Sequence, residues 1–135
     1  MKFNTKIAVV IREDLAVWQK LNVTAFTVSG IASIQEVIGS NYEDGTGNTY
    51  LPMIKQPILI FSANRNQLMQ VHDYSLSREL SLSIYTEELF STSNDEENRA
   101  AVKAVKSGDL ELVGVAIRGS QKLVNKALKG LSLHS

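Results

Sequence analysis

Three stretches of the chain are apolar almost throughout, and a fourth alternates between apolar and polar residues. The continuous runs are Ile7–Ile11, Ile58–Phe61 and Leu112–Ile117, and the alternating one is Leu80–Ile84. Continuous apolar runs rich in β-branched residues are typical of strands covered on both faces, whereas alternation is typical of a strand with one buried face, near a sheet edge. The pattern therefore predicts four strands, with Ile7–Ile11 in a central position.

A helix is predicted directly after the first strand. Asp14 is a suitable N-cap, and apolar residues then recur at helical spacing, beside Trp18, on a face made of Val17, Leu21, Ala25, Val28 and Ala32. The segment Val23–Val28 also has a strand-like composition. A helix that follows a buried strand fits a crossover between parallel strands better.

Three more helices are predicted from their start and stop signals. Asn64 and Gln67 form a capping box, and that helix continues to about Arg78. Ser93, Asn94 and Asp95, followed by Glu96 and Glu97, form the start of the next helix, which ends at Ser107-Gly108. The last helix follows Ser120, and its apolar positions are Leu123, Val124, Ala127, Leu128 and Leu131. Helical segments between buried strands predict an α/β fold with one sheet and helices on both faces.

The positions of the glycines predict two local features of the structure, a close backbone contact and a long loop. Gly114 inside the last strand predicts a close backbone approach, as to a packed helix. The segment Gly39–Tyr50 has three glycines and no periodicity, which predicts a long surface loop. Such a loop is either a cover over a site or simply mobile, and we favour mobility. It lacks the Gly-Lys-Ser/Thr ending of a phosphate-binding loop.

Composition limits the class of protein. The 135 residues fit one domain over residues 1–135, and the absence of cysteine excludes disulfides and thiolate chemistry. No apolar run is long enough to cross a membrane, and Met1-Lys-Phe-Asn4 leads directly into a strand rather than a signal peptide. We therefore expect a cytoplasmic protein.

Charge is distributed unevenly although the net charge is zero. Residues 99–135 hold seven basic side chains against two acidic ones, a balance of +5, which leaves −5 on the first 98 residues. The basic C-terminal part is either an anion-facing surface or an ordinary solvated helix face. The turn Arg118-Gly119-Ser120 before the last helix is a candidate anion site, because helix N-termini offer free N–H groups.

The main candidate site is the charged turn Arg12-Glu13-Asp14. It follows a buried strand, and open α/β sheets bind ligands in the crevice at the carboxyl ends of their strands. Neighbouring elements add further candidate site residues at their ends, namely Lys20, Asn64, Thr86, Glu87, Arg118 and Ser120. No metal-ligand cluster is visible, and we expect neither a metal nor a cofactor.

The layout resembles the archaeal and eukaryotic type of peptidyl-tRNA hydrolase. The resemblance rests on Asp14-Leu15 after the first strand and on Ala116-Ile-Arg-Gly119. The chain is closer to an uncharacterised bacterial family with that hydrolase fold, through Tyr50-Leu-Pro-Met53 and Gln56-Pro57. The resemblance implies a three-layer α/β/α domain, a mixed sheet of about four strands and a homodimer. Large aromatic residues that could anchor the dimer are Trp18, Phe26 and Tyr50.

In those hydrolases a lysine near the start of the first helix is taken to act at the ester. Here Lys20 matches it only with a one-residue insertion, and Thr86-Glu-Glu-Leu-Phe90 stands where the family has Asp-Ala-Gly. Two functions follow. One is a hydrolase in which Lys20 stabilises an oxyanion, Asp14 or Glu13 positions it, and Thr86 contributes. The other is a non-catalytic module that binds a small molecule or a partner. RNA is a further candidate partner, although Glu87 and Glu88 would repel its phosphates.

Overall fold

The structure is a computed structural model, which describes residues 3–135. Met1 and Lys2, on which the expectation about a signal peptide partly rests, lie outside the described residues. The described residues form seven strands: β1 (Thr5–Arg12), β2 (Tyr42–Glu43), β3 (Thr49–Tyr50), β4 (Ile58–Ala63), β5 (Ser81–Thr86), β6 (Leu112–Ser120) and β7 (Ser132–Leu133). They also form four α-helices: α1 (Val17–Ala32), α2 (Arg65–Ser77), α3 (Asp95–Lys103) and α4 (Gln121–Ala127).

The main sheet is mixed and has the strand order β5-β6-β1-β4-β7. Strand β1 is parallel to β4 and antiparallel to β6, and β5 is antiparallel to β6, so β1, β4 and β5 run in the same direction. The central position predicted for β1 and the edge position predicted for β5 are both confirmed. The fifth strand, β7, was not predicted, because its two residues are too few to form a pattern.

Helices cover both faces of this sheet, as predicted. Ala8 and Val10 of β1 face a core that includes residues of α2 and α4, whereas Ile7, Val9 and Ile11 face a core that includes residues of α1. These five side chains are at most 1% exposed. Burial on both faces explains why the β1 sequence is apolar without alternation. Within residues 3–135 the structure has no helix of the length and apolarity that crossing a membrane requires.

The close approach predicted at Gly114 is confirmed. A Cβ atom at this position would lie 2.3 Å from Cγ1 of Val23 on α1, a distance that no real packing tolerates. A second close approach lies at Gly30, where a Cβ would be 2.8 Å from Cβ of Ser83. Beside it, the Ser83 hydroxyl donates a hydrogen bond to the Thr27 carbonyl at 2.6 Å. Helix α1 is therefore held tightly against β5 and β6.

The segment Val23–Val28 is helical, but the buried face predicted for α1 is wrong. Buried side chains on this helix are Val23, Thr27 and Ile31, whereas Val17 and Leu21 are 73% and 67% exposed. The helix is apolar on several sides, so periodicity alone does not select the face that packs. The packed face is determined instead by two glycines, Gly114 on β6 and Gly30 on α1. Because they have no side chain, the helix and the sheet approach most closely at these positions.

The segment Gly39–Tyr50, predicted as a long loop, contains the two-stranded hairpin β2-β3. The Asp44 carboxylate organises its turn by accepting hydrogen bonds from the Tyr50 hydroxyl at 2.7 Å, from the side-chain and backbone N–H groups of Asn48 and from the backbone N–H of Thr46. The hairpin depends on hydrogen bonds to one polar side chain, and such bonds leave no hydrophobic periodicity in the sequence.

We expect the hairpin turn to open in acid. Its hydrogen bonds, that from Tyr50 first, hold the pKa of Asp44 well below the ordinary 3.8. A carboxyl with a lowered pKa stabilises the folded turn above its ordinary pKa, and this contribution is lost as pH falls through the lowered value. NMR titration of the Thr46 and Asn48 amides should show a midpoint well below 3.8. A midpoint at or above 3.8 would contradict the prediction, and Asp44→Asn should abolish the transition.

Candidate functional site

The carboxyl ends of three strands meet at one edge of the sheet because β1, β4 and β5 run in the same direction. Arg12-Glu13-Asp14 follows β1, Asn64 follows β4, and Glu87 follows Thr86 at the end of β5. This is the edge at which open α/β sheets bind their ligands. The predicted grouping of these residues at one edge agrees with the topology.

Arg12 is the centre of the charged group at this edge. It is 6% exposed, and its Nε donates a hydrogen bond to Asp14 Oδ1 at 2.6 Å. Its Nη1 lies 3.4 Å from the Leu112 carbonyl oxygen and 3.9 Å from Glu87 Oε2. The guanidinium thus links the ends of β1 and β5 to the start of β6, which lies between them. A buried arginine needs such partners to offset its desolvation.

Asp14 is suited to this structural ion pair rather than to proton transfer. The hydrogen bond from Arg12 is the largest cause that lowers the pKa of Asp14 below its ordinary value, and the charge of Arg12 adds to it. A general base works best with a pKa near the operating pH. Asp14 therefore stays ionised and is a weak base.

Lys20 takes part in a different contact. Its Nζ lies 3.1 Å from Nε2 of His134, and within residues 3–135 no hydrogen bond or ion pair joins Lys20 to Asp14 or Glu13. His134 is positioned beside β4, since its backbone N–H donates to the Ile60 carbonyl at 2.8 Å. The structure therefore brings Asp14 and Glu87 together around Arg12 and directs Lys20 towards β7.

The remaining predicted site residues have structural partners or lie elsewhere. Glu13 donates its backbone N–H to the Ala63 carbonyl at 2.9 Å. The side chains of Asn64 and Ser120 cap α2 and α4 by accepting from the backbone N–H groups of Gln67 and Leu123.

Arg118 and Ser120 occupy the opposite edge of the sheet, near the beginning of β1. Ser120 pairs with Thr5, and Arg118 lies between Ile7 and Ser81. Arg118 Nε is buried, and no protein group within residues 3–135 is its hydrogen-bond partner. The candidate anion site at this turn is thus separate from the charged group around Arg12.

An aromatic cleft, which the sequence did not predict, lies between α1 and the segment 89–98. Its volume is about 330 Å³. Trp18, Asn22 and Phe26 line it from α1, and Tyr85 lines it from the end of β5. The 89–98 segment completes the lining with Leu89, Phe90, Thr92, Ser93, Asn94, Asp95 and Asn98. Because β5 ends here, the cleft lies at the carboxyl edge of the sheet.

Four aromatic rings form a continuous chain in the cleft. Trp18 meets Phe90 edge to face, with ring centroids 5.7 Å apart and an interplanar angle of 71°. Phe90 lies 5.1 Å from Tyr85, and Tyr85 lies 5.9 Å from Phe26. Tyr85 is buried, but Trp18 and Phe26 are 61% and 54% exposed. The two rings from α1 therefore leave much of their surface open to a ligand.

Two amides supply the main polar groups of the cleft. The Tyr85 hydroxyl donates to Asn22 Oδ1 at 3.2 Å. The Thr92 hydroxyl has one hydrogen and lies within hydrogen-bond distance of both Asn98 Oδ1 and the Leu89 carbonyl. Burial raises the pKa of Tyr85, so the phenol stays protonated and keeps donating. The Asn22 oxygen is thus used within the protein and the Asn98 oxygen lies beside the Thr92 hydroxyl, while neither amide nitrogen has a partner among residues 3–135. Their N–H groups are available to a ligand.

Other parts of the described chain fit a ligand less well. A depression of about 740 Å³ lies at the opposite edge, beside the start of β1. Several of its polar groups are already paired, since Thr5 and Gln56 exchange two hydrogen bonds and Lys6 donates to Asn125. Within residues 3–135 no group of three or more His, Asp or Glu side chains is arranged to hold a metal ion.

One feature of the sequence does indicate the cleft. Trp18, Asn22 and Phe26 are spaced by four residues and therefore share one stripe of α1. The stripe is distinct from the buried one at Val23 and Thr27. The opposite wall could not be found in this way, because Phe90 lies in a 3-10 turn without periodicity.

Comparison with known proteins places this architecture among proteins of undetermined role. The model of a family described as "Protein of unknown function (DUF2000)" matches residues 5–135. A solved structure of a protein of unknown function from Agrobacterium tumefaciens is 46% identical, with a TM-score of 0.95 over 99% of this chain and 100% of that one. A search of curated proteins gave no match.

Thr86, one of the predicted site residues, has a buried hydroxyl whose hydrogen bonding can be tested by mutation. Thr86 is 1% exposed, and its Oγ1 has no hydrogen-bond partner within residues 3–135. Removing an unpaired buried hydroxyl relieves a desolvation cost of about 1–3 kcal/mol. We expect Thr86→Val to leave the free energy of unfolding unchanged or higher in urea denaturation.

The matched control is Thr27→Val, at a position that is also 1% exposed. The Thr27 hydroxyl donates to the Val23 carbonyl at 2.8 Å, so its loss should lower the free energy of unfolding by about 1 kcal/mol. Equal destabilisation by the two substitutions would show that the Thr86 hydroxyl has a partner.

Proposed function

Because this chain belongs to the DUF2000 family of proteins of unknown function, we propose its function from the site itself: it is a binding protein that holds a small organic molecule in the aromatic cleft. The observation that carries the proposal is the chain of four rings at the carboxyl edge of the sheet. The cleft lies at the same edge of the sheet as the Arg12-Glu13-Asp14 turn, although none of these three residues lines it.

The composition of the cleft supports this proposal. Ligand sites are mostly apolar concavities with a few polar groups that fix orientation. Here the rings supply the apolar walls, and the N–H groups of Asn22 and Asn98 supply donors at the side. The ring wall from α1 is also fixed in place, because Val23 packs against Gly114. A ligand would therefore bind a largely preformed surface.

We further propose the finer fold assignment, that of the archaeal and eukaryotic type of peptidyl-tRNA hydrolase. Its support is the sequence resemblance together with a mixed sheet covered on both faces. The alternative function is hydrolysis of an ester through Lys20 and Asp14. The contacts of these two residues favour binding instead, because Lys20 is directed to His134 and Asp14 to Arg12.

The proposed homodimer retains its support from the resemblance. Its three suggested anchors, Trp18, Phe26 and Tyr50, are 61%, 54% and 53% exposed. Large aromatic side chains are common anchors of interfaces. Two of the three also line the cleft, so a dimer built on them would place the cleft at or near the interface.

Ligand binding can be followed at a single resonance because Trp18 is the only tryptophan in the chain. We expect benzyl alcohol to shift the Trp18 indole N–H and the Asn22 side-chain amide in NMR titrations, with saturation. Phe90→Ala should weaken this binding several-fold, since an aromatic pair and its buried surface contribute about 0.5–1.5 kcal/mol.

The control for that experiment is Leu76→Ala. Leu76 is 53% exposed on α2 and does not line the cleft, so its truncation should leave binding unchanged. The proposal is wrong if benzyl alcohol shifts scattered surface resonances without saturating, or if both variants bind as the wild type does.

Peptidyl-tRNA hydrolysis is expected to be weak or absent. An oxyanion needs donors aimed at it from about 3 Å, and the loss of one costs 10²- to 10³-fold in rate. Lys20 contacts His134, and Thr86 is buried. A single-turnover assay with peptidyl-tRNA should show no enzymatic cleavage by the wild type. Cleavage that Lys20→Ala abolishes would establish the alternative function.

A further inference from the structure

We propose that the aromatic cleft selects an organic ammonium: a small molecule whose N-methylated, positively charged head lies against the rings of Trp18 and Phe90. The inference rests on the proposed function, that the cleft binds a small molecule, and it specifies the chemistry of that molecule. Three features of the cleft carry it: the orientation of the rings, the charge of the walls and the position of one carboxylate.

The rings are inclined to one another along the cleft, and Trp18 keeps much of its ring surface exposed. Trp18 and Phe90 are inclined by 71°, and Phe90 and Tyr85 by 48°. A cation over the face of an aromatic ring within about 6 Å is attracted by the ring quadrupole, most strongly by tryptophan. Rings inclined to one another allow a rounded cation to contact more than one ring, whereas a flat neutral ligand stacks best on one.

Acidic residues outnumber basic ones beside the cleft. The segment 87–99 contains five acidic residues and one basic residue, Arg99. On the opposite wall, the only charged residue of α1 is Lys20, whose Nζ lies beside His134 and which does not line the cleft. This excess of acidic residues favours a cation over an anion at the cleft.

Among the lining residues Asp95 is the only charged one. Its carboxylate pairs with Arg99, one turn further along α3. Both side chains are exposed, 78% and 67% respectively, and an exposed pair of this kind contributes little. Asp95 can therefore exchange Arg99 for a ligand cation at small cost. The positive end of the α3 dipole does not reverse this preference, because three carboxylates occupy the first turn.

The polar groups of the cleft fit a hydroxyl or carbonyl oxygen on the same ligand. The amide N–H groups of Asn22 and Asn98 can donate to such an oxygen, because the Asn22 oxygen already accepts from Tyr85 and the Asn98 oxygen lies within hydrogen-bond distance of the Thr92 hydroxyl. The expected ligand is thus a short molecule with an N-methylated ammonium at one end and a hydrogen-bond acceptor at the other.

The decisive comparison is between choline and its neutral carbon isostere, in which a carbon atom replaces the quaternary nitrogen. The two molecules have the same shape and hydroxyl group, so a difference in affinity reports the charge. Affinities are measured by NMR titration of the Trp18 indole N–H of the full chain. We expect choline to bind at least about threefold more tightly than the isostere, and added salt should narrow the difference.

Two variants with opposite expected effects test whether the Asp95 carboxylate contributes to choline binding. Asp95→Asn should weaken choline binding about two- to fivefold, while leaving the affinity of the isostere unchanged. Arg99→Gln should tighten choline binding, because it releases the Asp95 carboxylate. Asp109→Asn makes the same change of charge at an exposed residue that does not line the cleft and should leave both affinities unchanged.

The outcomes separate this inference from the proposed function. Tighter binding of choline, weakened by Asp95→Asn and not by Asp109→Asn, supports the inference. Equal binding of choline and its isostere overturns it and leaves the proposed function standing. If neither compound shifts the Trp18 resonance, the inference is wrong, and the proposed function is then judged by the titration with benzyl alcohol alone.

Discussion

The packing of Val23 against Gly114 determines where the proposed binding cleft of this protein lies. Only a residue without a side chain allows α1 to approach β6 so closely, and this contact fixes both the height and the rotation of the helix. Once Val23, Thr27 and Ile31 face the sheet, Trp18, Asn22 and Phe26 must project to the side. The cleft is therefore a geometric consequence of a glycine in the neighbouring strand.

The sheet could be predicted from the sequence because burial on both faces leaves a clear pattern. Ile7–Ile11 and Leu112–Ile117 are apolar without alternation because helices cover both sides of the sheet. Helix α1 could not be oriented in the same way, since it is apolar on several sides. Among the candidate site residues, those that directly follow a strand, such as Asp14, were predictable from the sequence. Phe90 was not, because it belongs to the cleft through a tertiary contact with Trp18, and such a contact leaves no local sequence pattern.

The carboxyl edge of the sheet contains two arrangements with different chemistry. The charged residues, which are conspicuous in the sequence, pair with one another: Arg12 forms an ion pair with Asp14 and lies near Glu87. The groups left for a ligand are rings and amide N–H groups. Electrostatic preference at such a site comes from aromatic faces and from the surrounding field more than from any single ion pair.

The short strand β7 has a consequence for the behaviour of the protein at high concentration. Leu133 pairs with Phe61, and the His134 N–H donates to the Ile60 carbonyl, so these residues cover main-chain groups of β4. An uncovered strand edge is a template for pairing with other molecules and for aggregation. Leu133 is 60% exposed and adds little to the core. Residues that contribute little to the stability of the fold thus prevent β4 from pairing with a strand of another molecule.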